Sequence, residues 1–263
     1  MRICRFTTTG FHSPRLGIID GESIRPLTQG ETIASFPSPR TDGPIPLATA
    51  RLVAPVAPSK IICIGRNYQD HAAEMGNPMP EEPLLFLKAP SAIIGNGEII
   101  LLPPESSQVE HEGELGVVIG RTASHVEDED DPLSFVLGYT CVNDVTARDL
   151  QRKDVQFTRA KSFDTFCPVG PFIVTDIDPS DLQVTTRVNG DVRQSSRTSA
   201  MAFPVTDLIR YISRIMTLLP GDLISTGTPS GVSALKTGDV VDVSVSGVGR
   251  LRNEVQEAPA TGW

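Results

Sequence analysis

The chain has 263 residues, enough for one sizeable domain or for a main domain with a small appendage. Its 23 basic and 32 acidic residues give a net charge of −9, which argues against a general binder of nucleic acids or anionic membranes. The N-terminus lacks the apolar segment of a signal peptide, and no apolar stretch is long enough to span a membrane. The four cysteines include no Cys-x-x-Cys pair, so we expect reduced, buried thiols in a cytoplasmic protein.

Residues 1–55 are predicted to form a small separate domain. Within them, RLGIIDGESIRPL predicts two short strands joined by a turn at Asp20-Gly21. The Pro-rich residues 35–60 are typical of a connector. The main domain, residues 56–263, opens with a buried strand, KIICIG. A helix over NYQDHAAEMG follows, with Gly76 as its predicted end.

The rest of the main domain is dominated by short strands with Gly and Pro between them. The predicted strands are ELGVVIG, VLGYTCVND, PFIVTD, QVTTRVNGDVRQ, DLISTGT and DVVDVSVSG. One amphipathic helix is predicted over PVTDLIRYISRIMTLLP, with Thr206 or Asp207 as its cap. The pattern predicts a β-rich α+β fold of sandwich or roll type. There is no Gly-rich phosphate loop that opens a helix, which argues against a nucleotide-binding doubly wound fold. There is also no Gly-x-Ser-x-Gly elbow of the kind found in serine hydrolases.

Acidic residues stand at strand spacing just before an apolar run. In VEHEGELGVVIG, Glu110, Glu112 and Glu114 would all point to one face of an extended chain. Burying even one of them without a partner is unfavourable, so that face is either solvated or occupied by a cation. Asp144 also interrupts an apolar strand, where a cap or an ion-pair partner is the commoner role. Two strand carboxylates and a third acid would make an oxygen-only site suited to Mg²⁺ or Mn²⁺ rather than to zinc or copper.

Three further features admit both a structural and a functional explanation. His71 and Glu74 are three residues apart on the first predicted helix, which suits either a surface pair or a general base oriented by a carboxylate. Lys161 lies in a mostly uncharged stretch, either as a surface lysine or as a cation beside a metal site. The turn in STGTPSGV would either direct polar groups at an anion or serve as a turn alone.

Together and in this order, the motifs resemble those of the fumarylacetoacetate hydrolase superfamily, above all its short acylpyruvate hydrolase and oxaloacetate decarboxylase members. The resemblance runs from about Lys60 to Val255. Its matching stretches are GRNYQDHAAE, EPLLFLKAPSA, HEGELGVVIG, VNDVTARDLQ, AKSFDTFCPVGPF, VNGDVRQ, LLPGDLISTGTPSGV and GDVVDVSVSGVGRLRNEV. It implies a mixed β-sandwich roll with a small N-terminal domain, usually as a homodimer.

The resemblance also implies a role for each matching position. Glu112, Glu114 and Asp144 would bind Mg²⁺ or Mn²⁺, which leaves Glu110 outside the ligand set. His71 and Glu74 would activate water on a lid over the substrate, and Lys161 would lie beside the metal. The implied substrate-binding residues are Arg66, Gln151 and Thr228, with Tyr68 and Lys88 as further candidates.

The expected activity is metal-assisted cleavage of a carbon–carbon bond in an acylpyruvate-type β-diketo acid, with a small 2-oxo acid as the partner molecule. Decarboxylation of oxaloacetate would need the same site without an attacking water. Isomerisation of a 2-hydroxyhepta-2,4-diene-1,7-dioate-type acid would need proton shuttling there. The alternative outside enzymology is an inactive metal-binding dimeric scaffold.

Overall fold

The computed structural model describes residues 1–9, 11 and 13–259. Gly10, His12 and residues 260–263, which belong to the two predicted domains, lie outside the described residues. The strands are β1 (Arg2–Thr7), β2 (Arg15–Asp20), β3 (Ser23–Pro26), β4 (Ile45–Pro46), β5 (Arg51–Val53), β6 (Ile61–Gly65), β7 (Leu84–Lys88), β8 (Ile93–Ile94), β9 (Ile99–Leu102), β10 (Val109–Glu110), β11 (Gly113–Ile119), β12 (Val136–Asn143), β13 (Thr146–Ala147), β14 (Cys167–Val174), β15 (Gln183–Val188), β16 (Asp191–Arg197), β17 (Leu223–Ser225), β18 (Val240–Val245) and β19 (Gly249–Glu257).

The helices are α1 (Gln69–Glu74), α2 (Arg148–Lys153), α3 (Thr158–Lys161) and α4 (Val205–Ile215). In the described part of the chain, 3₁₀ turns join the elements at Ile33–Ser35, Leu47–Thr49, Pro90–Ala92, Pro132–Phe135, Pro179–Asp181 and Thr198–Ala200.

Two large sheets pack face to face. The first has 12 strands in the order β4-β3-β2-β1-β14-β12-β11-β17-β6-β7, with β5 beside β1 and β8 beside β14. The second has the order β16-β15-β18-β19-β9. Val117 of β11 and Val243 of β18 belong to one buried cluster, so the main core lies between the two sheets. The predicted β-rich α+β sandwich is therefore confirmed.

The sheet runs through the predicted domain boundary. β1 pairs antiparallel with β14, with Ile3 opposite Ile173, so strands from residues 1–55 extend the sheet of the main domain. Ile3 also packs in a buried cluster with Val169 and Ile173. The division at residue 55 stays a prediction.

Most predicted elements are present, and the differences have physical causes. The stretch 35–60 is not only a connector, because β4 and β5 lie within it. Helix α4 ends at Ile215, before the predicted end, because the Leu218 backbone pairs with Ala123 instead. The prediction of Thr206 or Asp207 as its cap is wrong, since the helix begins after Pro204 with no side-chain cap.

The four cysteines are buried and free, as predicted. Burial raises the pKa of Cys4 to about 12, and it raises that of Cys167 likewise.

Hydrogen bonds of Asp222 link the start of the main domain to β17, the strand that pairs with β11. It is fully buried and accepts hydrogen bonds from the Ser59 backbone N–H (3.1 Å) and hydroxyl (2.6 Å) and from the Leu219 N–H (2.8 Å). It also pairs with the Lys60 ammonium group.

We expect Asp222→Ala to lower the free energy of unfolding by roughly 3 kcal/mol, because it leaves buried donors and a cation without their partner. Urea unfolding followed by circular dichroism measures this. Asp191→Ala, at an exposed aspartate with only a 3.8 Å ion pair to Arg193, serves as the matched control and should leave the midpoint nearly unchanged. Equal midpoints for the two variants would contradict the role of Asp222.

Candidate metal centre and active site

Three of the predicted acids meet at the paired ends of two strands. Glu112 and Glu114 flank Gly113 at the start of β11, and Asp144 follows the last residue of β12. The antiparallel pairing sets Gly113 opposite Asn143, and the Asp144 N–H donates to the Glu112 carbonyl at 2.8 Å. One carboxylate oxygen from each acid lies within 4.8 Å of those of the other two.

All of these carboxylates are buried, which excludes the solvated face. Glu110, Glu112 and Glu114 are only 7%, 5% and 1% exposed, and Asp144 is 1% exposed. Glu110 is nevertheless separate from the other three. It lies on β10, and the two residues that follow it leave the strand ladder before β11 begins. Its carboxylate contacts Arg148 (2.8 Å) instead.

Three buried basic side chains form ion pairs with three of these four carboxylates. Lys88 donates to Asp144 Oδ1 at 2.6 Å. Lys161 donates to Asp144 Oδ2 at 2.6 Å and to Glu112 Oε2 at 2.8 Å. Arg148 bridges Glu110 and Glu112, the latter at 2.5 Å. Burial alone would raise the pKa of Glu112, but the charges of Lys161 and Arg148 outweigh it and hold that pKa well below the usual range.

Glu114 is the buried acid without a cation of its own among the described residues. Its Oε2 accepts hydrogen bonds from the Ser225 hydroxyl and from the Gly227 N–H at 2.9 Å. Burial, followed by the charges of Asp144 and Glu112, raises its pKa to about 8. The arrangement is therefore short of one positive charge at Glu114.

The acids fit a hard divalent cation. The three of them offer oxygen ligands only, without a histidine or cysteine in the cluster among the described residues. Oxygen-only sets suit Mg²⁺ and Mn²⁺. A cation bound by Glu112, Glu114 and Asp144 would also favour the ionised form of Glu114, for which the charge of Lys161 alone is not sufficient.

A cavity of about 270 Å³ lies beside Glu112 of this cluster. Six of the predicted site residues line it: Arg66, His71, Glu112, Gln151, Lys161 and Thr228. Its wall also contains apolar side chains, and the Lys161 ammonium lies 4.9 Å from the centre of the Phe86 ring. The geometry therefore places a histidine, a lysine and an arginine around a space that Glu112 lines, while Glu114 and Asp144 lie behind Glu112 in the acid cluster and do not line it.

Tyr68 and Lys88 do not line this cavity. Lys88 has a fully buried side chain, which is occupied by Asp144 and by the Val145 carbonyl (3.1 Å). The Tyr68 hydroxyl is buried without a hydrogen-bond partner in the described part of the chain, and burial raises its pKa. Their part in substrate binding stays a prediction, and the geometry makes Lys88 a counter-ion of Asp144.

His71 and Glu74 form a pair at the cavity wall. His71 is only 6% exposed, so it is not a surface residue, and its Nδ1 lies 3.4 Å from Glu74 Oε2. The Gly231 N–H holds the Glu74 carboxylate at 3.0 and 3.1 Å. A carboxylate at Nδ1 leaves Nε2 of the ring available as a base.

Arg66 comes directly after β6 in a strained conformation. Its φ of 57° lies in the left-handed region, which is unfavourable for a residue with a side chain. The loop is held by Asn67, which bonds to the Phe203 backbone and to the Thr226 carbonyl (2.8 Å). The Arg66 guanidinium has no hydrogen bond or ion pair with the residues that the structure describes, so it is available to a ligand.

Arg148 is a functional candidate that the sequence analysis did not select. Besides its two carboxylates, it donates to Gln151 Oε1 at 2.6 Å. Because arginine only donates, the amide oxygen of Gln151 faces Arg148, and its N–H groups remain as donors for the cavity. The available signal was its spacing, four residues after Asp144 and three before Gln151 on α2.

Comparison with known proteins agrees with this geometry. Residues 60–256 match the family model described as fumarylacetoacetate (FAA) hydrolase C-terminal. The chain belongs to the fumarylacetoacetate hydrolase family. Residues 1–55 match a second family model, described as Rv2993c-like, N-terminal.

Three relatives illustrate the range of the family. Oxaloacetate tautomerase YisK of Bacillus subtilis is 46% identical over 80% of this chain and 74% of its own. The crystal structure of 2-hydroxyhepta-2,4-diene-1,7-dioate isomerase from Mycobacterium marinum is 43% identical, covers 98% of both chains and has a TM-score of 0.88. Maleylpyruvate hydrolase from Sphingobium sp. SYK-6, solved with manganese(II) and pyruvate, is 33% identical over 98% of this chain and 100% of its own, with a TM-score of 0.79.

Within the described residues, no helix has both the length and the apolar character needed to cross a membrane.

Metal binding should depend on pH through Glu114. Its raised pKa keeps the carboxyl protonated below about pH 8 in the metal-free protein, so an entering ion must displace that proton. We expect Mn²⁺ binding to release about one proton per ion near pH 6.5 and almost none above roughly pH 9.5, with apparent affinity rising in between.

Calorimetric titration with Mn²⁺, in two buffers that differ in ionisation enthalpy, measures the released protons. Glu114→Gln should bind the ion weakly and without this pH dependence. Proton-free, tight binding near pH 6.5 would contradict the assignment of Glu114 as a ligand.

Proposed function

We propose that this protein is a divalent-metal-dependent enzyme that interconverts the keto and enol forms of a 2-oxo dicarboxylic acid of oxaloacetate type. The observation that carries the proposal is the acid cluster, short of one positive charge at Glu114, whose member Glu112 lines the same cavity as His71, Lys161 and Arg66. The names of the relatives support the same class of chemistry, since one is an oxaloacetate tautomerase and another a dioate isomerase.

The cationic groups of the cavity favour a substrate with two carboxylates. Arg66 is free to pair with one carboxylate, and the N–H groups of Gln151 can donate to it. Arg152 also lines the cavity, where it bonds to the Gln108 side chain at 2.6 Å, and it adds a further positive charge. A monocarboxylate would leave part of this charge unpaired.

The proposed chemistry needs one base and a stabilised oxygen. His71, oriented by Glu74, takes a proton from C3 of the keto acid through Nε2. The Lys161 ammonium stabilises the negative charge that develops on the 2-oxo oxygen. A proton then returns to that oxygen, which gives the enol with no net change in atoms. When bound by Glu112, Glu114 and Asp144, a divalent ion would supply Lewis-acid stabilisation of the same charge.

Cleavage of the carbon–carbon bond of an acylpyruvate is the second candidate. The His71–Glu74 pair favours it, because the same base can take a proton from a water that attacks the distal carbonyl. One relative carries the name maleylpyruvate hydrolase. Decarboxylation of oxaloacetate would use the same stabilised oxygen but no attacking water. An inactive scaffold is less well supported, because the acids, the histidine pair and the lysine are all present.

A panel of oxaloacetate, acetylpyruvate and fumarylpyruvate tests the proposal. We expect keto–enol exchange of oxaloacetate, followed by ultraviolet absorbance, to require Mg²⁺ or Mn²⁺ and to stop with a chelator. His71→Ala should lower its kcat by roughly 10²- to 10⁴-fold, the usual contribution of a general base. The control is His125→Asn, at an exposed histidine in the loop that follows β11.

Each outcome distinguishes among the candidates. If the His71→Ala variant no longer cleaves the diketones but retains keto–enol exchange, the result would favour the hydrolase. Release of carbon dioxide as the main reaction would favour the decarboxylase. Failure to turn over any of these acids with either metal would favour the scaffold.

Arg66 should determine affinity for the dicarboxylate. We expect Arg66→Gln to raise KM for oxaloacetate by about tenfold or more with a smaller change in kcat, because a charge-assisted pair to a carboxylate is lost. Arg159→Gln, at an exposed arginine that pairs with Asp154 and does not line the cavity, is the control. An unchanged KM in steady-state kinetics would remove Arg66 from the proposed binding site.

A further inference from the structure

Gln194 makes a set of hydrogen bonds directly behind the cavity wall. It belongs to β16 and is fully buried. Its Nε2 donates to Thr228 Oγ1 and to the Pro229 carbonyl, both at 2.7 Å. Its Oε1 accepts from the Gly113 N–H at 3.0 Å and lies 3.1 Å from His111 Nδ1. All the hydrogen-bonding positions of this amide are therefore used inside the protein.

The direction of these bonds is fixed by two backbone groups. The Pro229 carbonyl can only accept, so it must face the amide nitrogen of Gln194. The Gly113 N–H can only donate, so it must face the amide oxygen. A flipped amide would set donor against donor and acceptor against acceptor, which makes the orientation of Gln194 unambiguous.

The orientation of Gln194 determines what the Thr228 hydroxyl can do. Because Oγ1 accepts from Gln194, its own proton is directed elsewhere, and the Gly113 carbonyl lies 3.0 Å away as its acceptor. Thr228 is 3% exposed and lines the cavity. The hydrogen-bonding position that remains on Oγ1 is a lone pair.

Turning the Thr228 proton toward a ligand would be unfavourable. The buried carbonyl of Gly113 would then lose its hydrogen bond from Thr228. Gly113 lies between Glu112 and Glu114 in the chain. A Cβ at position 113 would lie 1.9 Å from the Thr186 hydroxyl, so only glycine fits here, and its N–H and carbonyl bond to Gln194 and Thr228. The backbone that carries Glu112 and Glu114 is thus tied to the same network.

We propose that Gln194 is a positioning residue that makes Thr228 a hydrogen-bond acceptor toward the cavity. At this position the site then prefers a substrate group that carries a proton, such as an enol or alcohol hydroxyl, over a carboxylate oxygen. This assignment makes the substrate-binding role implied for Thr228 more specific, and it leaves recognition of the anion to Arg66 and Gln151. It rests on the proposed function in taking the cavity as the substrate site.

Two ligands that differ in their hydrogen-bond donors test the proposal. Oxalate at neutral pH has only acceptor oxygens, whereas malate has two carboxylates and one hydroxyl. Their dissociation constants are measured by calorimetry on the Mn²⁺-loaded protein. We expect Thr228→Val to raise the ratio of the malate to the oxalate constant about fivefold, which corresponds to roughly 1 kcal/mol.

The conservative Thr228→Ser should keep the ratio of the unmodified protein, since it retains the hydroxyl. Gln194→Met, which releases the hydroxyl so that it can turn toward an anion, should raise the ratio in the same direction as Thr228→Val. Mn²⁺ affinity, measured on each variant without ligand, shows that the acid cluster is intact. A ratio that stays unchanged or falls in Thr228→Val would overturn the proposal.

The unmodified protein gives a second measurement if a variant does not fold. In crystals with Mn²⁺ and malate, the malate hydroxyl should lie within about 3.2 Å of Thr228 Oγ1. An oxalate oxygen at that distance in the corresponding complex would overturn the assignment. If the loaded protein bound neither probe, the proposed function would fail and this inference with it. Binding of both probes with the wrong preference would defeat the inference alone.

Discussion

A buried carboxylate without a cation of its own is the constraint around which the site is organised. Glu114 shares a small volume with Glu112 and Asp144, whose charges are held by lysine and arginine side chains. Among the described residues, Glu114 accepts hydrogen bonds only from a hydroxyl and one backbone N–H, which do not keep its carboxyl ionised at neutral pH. This imbalance makes the three acids suitable ligands for a divalent cation, and the side chains that line the cavity lie next to Glu112.

The sheet sets the distances on which this arrangement depends. Antiparallel pairing of β11 with β12 brings Asp144 beside Glu112, and β17, on the other side of β11, supplies Ser225 to Glu114. Acids that are 30 and 32 residues apart in the chain therefore share one site. The reactive groups on α1, α2 and α3 are attached to this rigid base.

The sequence predicted the strands and acids of the site better than it predicted their partners. The apolar run after Glu114 and the spacing of the acids are local patterns, and the family motifs carried the ligand set. The pairing of Arg148 with Glu110 and of Lys88 with Asp144 joins residues 38 and 56 positions apart. Nothing in the local pattern indicates such contacts. The early end of α4 likewise depends on a strand contact made by Leu218 rather than on its own helical periodicity.

The pairing of β1 with β14 has a consequence for any truncation of this protein. A chain cut at residue 55 would leave part of β14 with open backbone groups and would uncover Ile173, which packs beside Ile3. Unpaired strand edges next to apolar surface promote self-association. Strand β1, from the first 55 residues, thus protects an edge of the larger sheet. The shortened protein would be prone to aggregate even if its acid cluster remained intact.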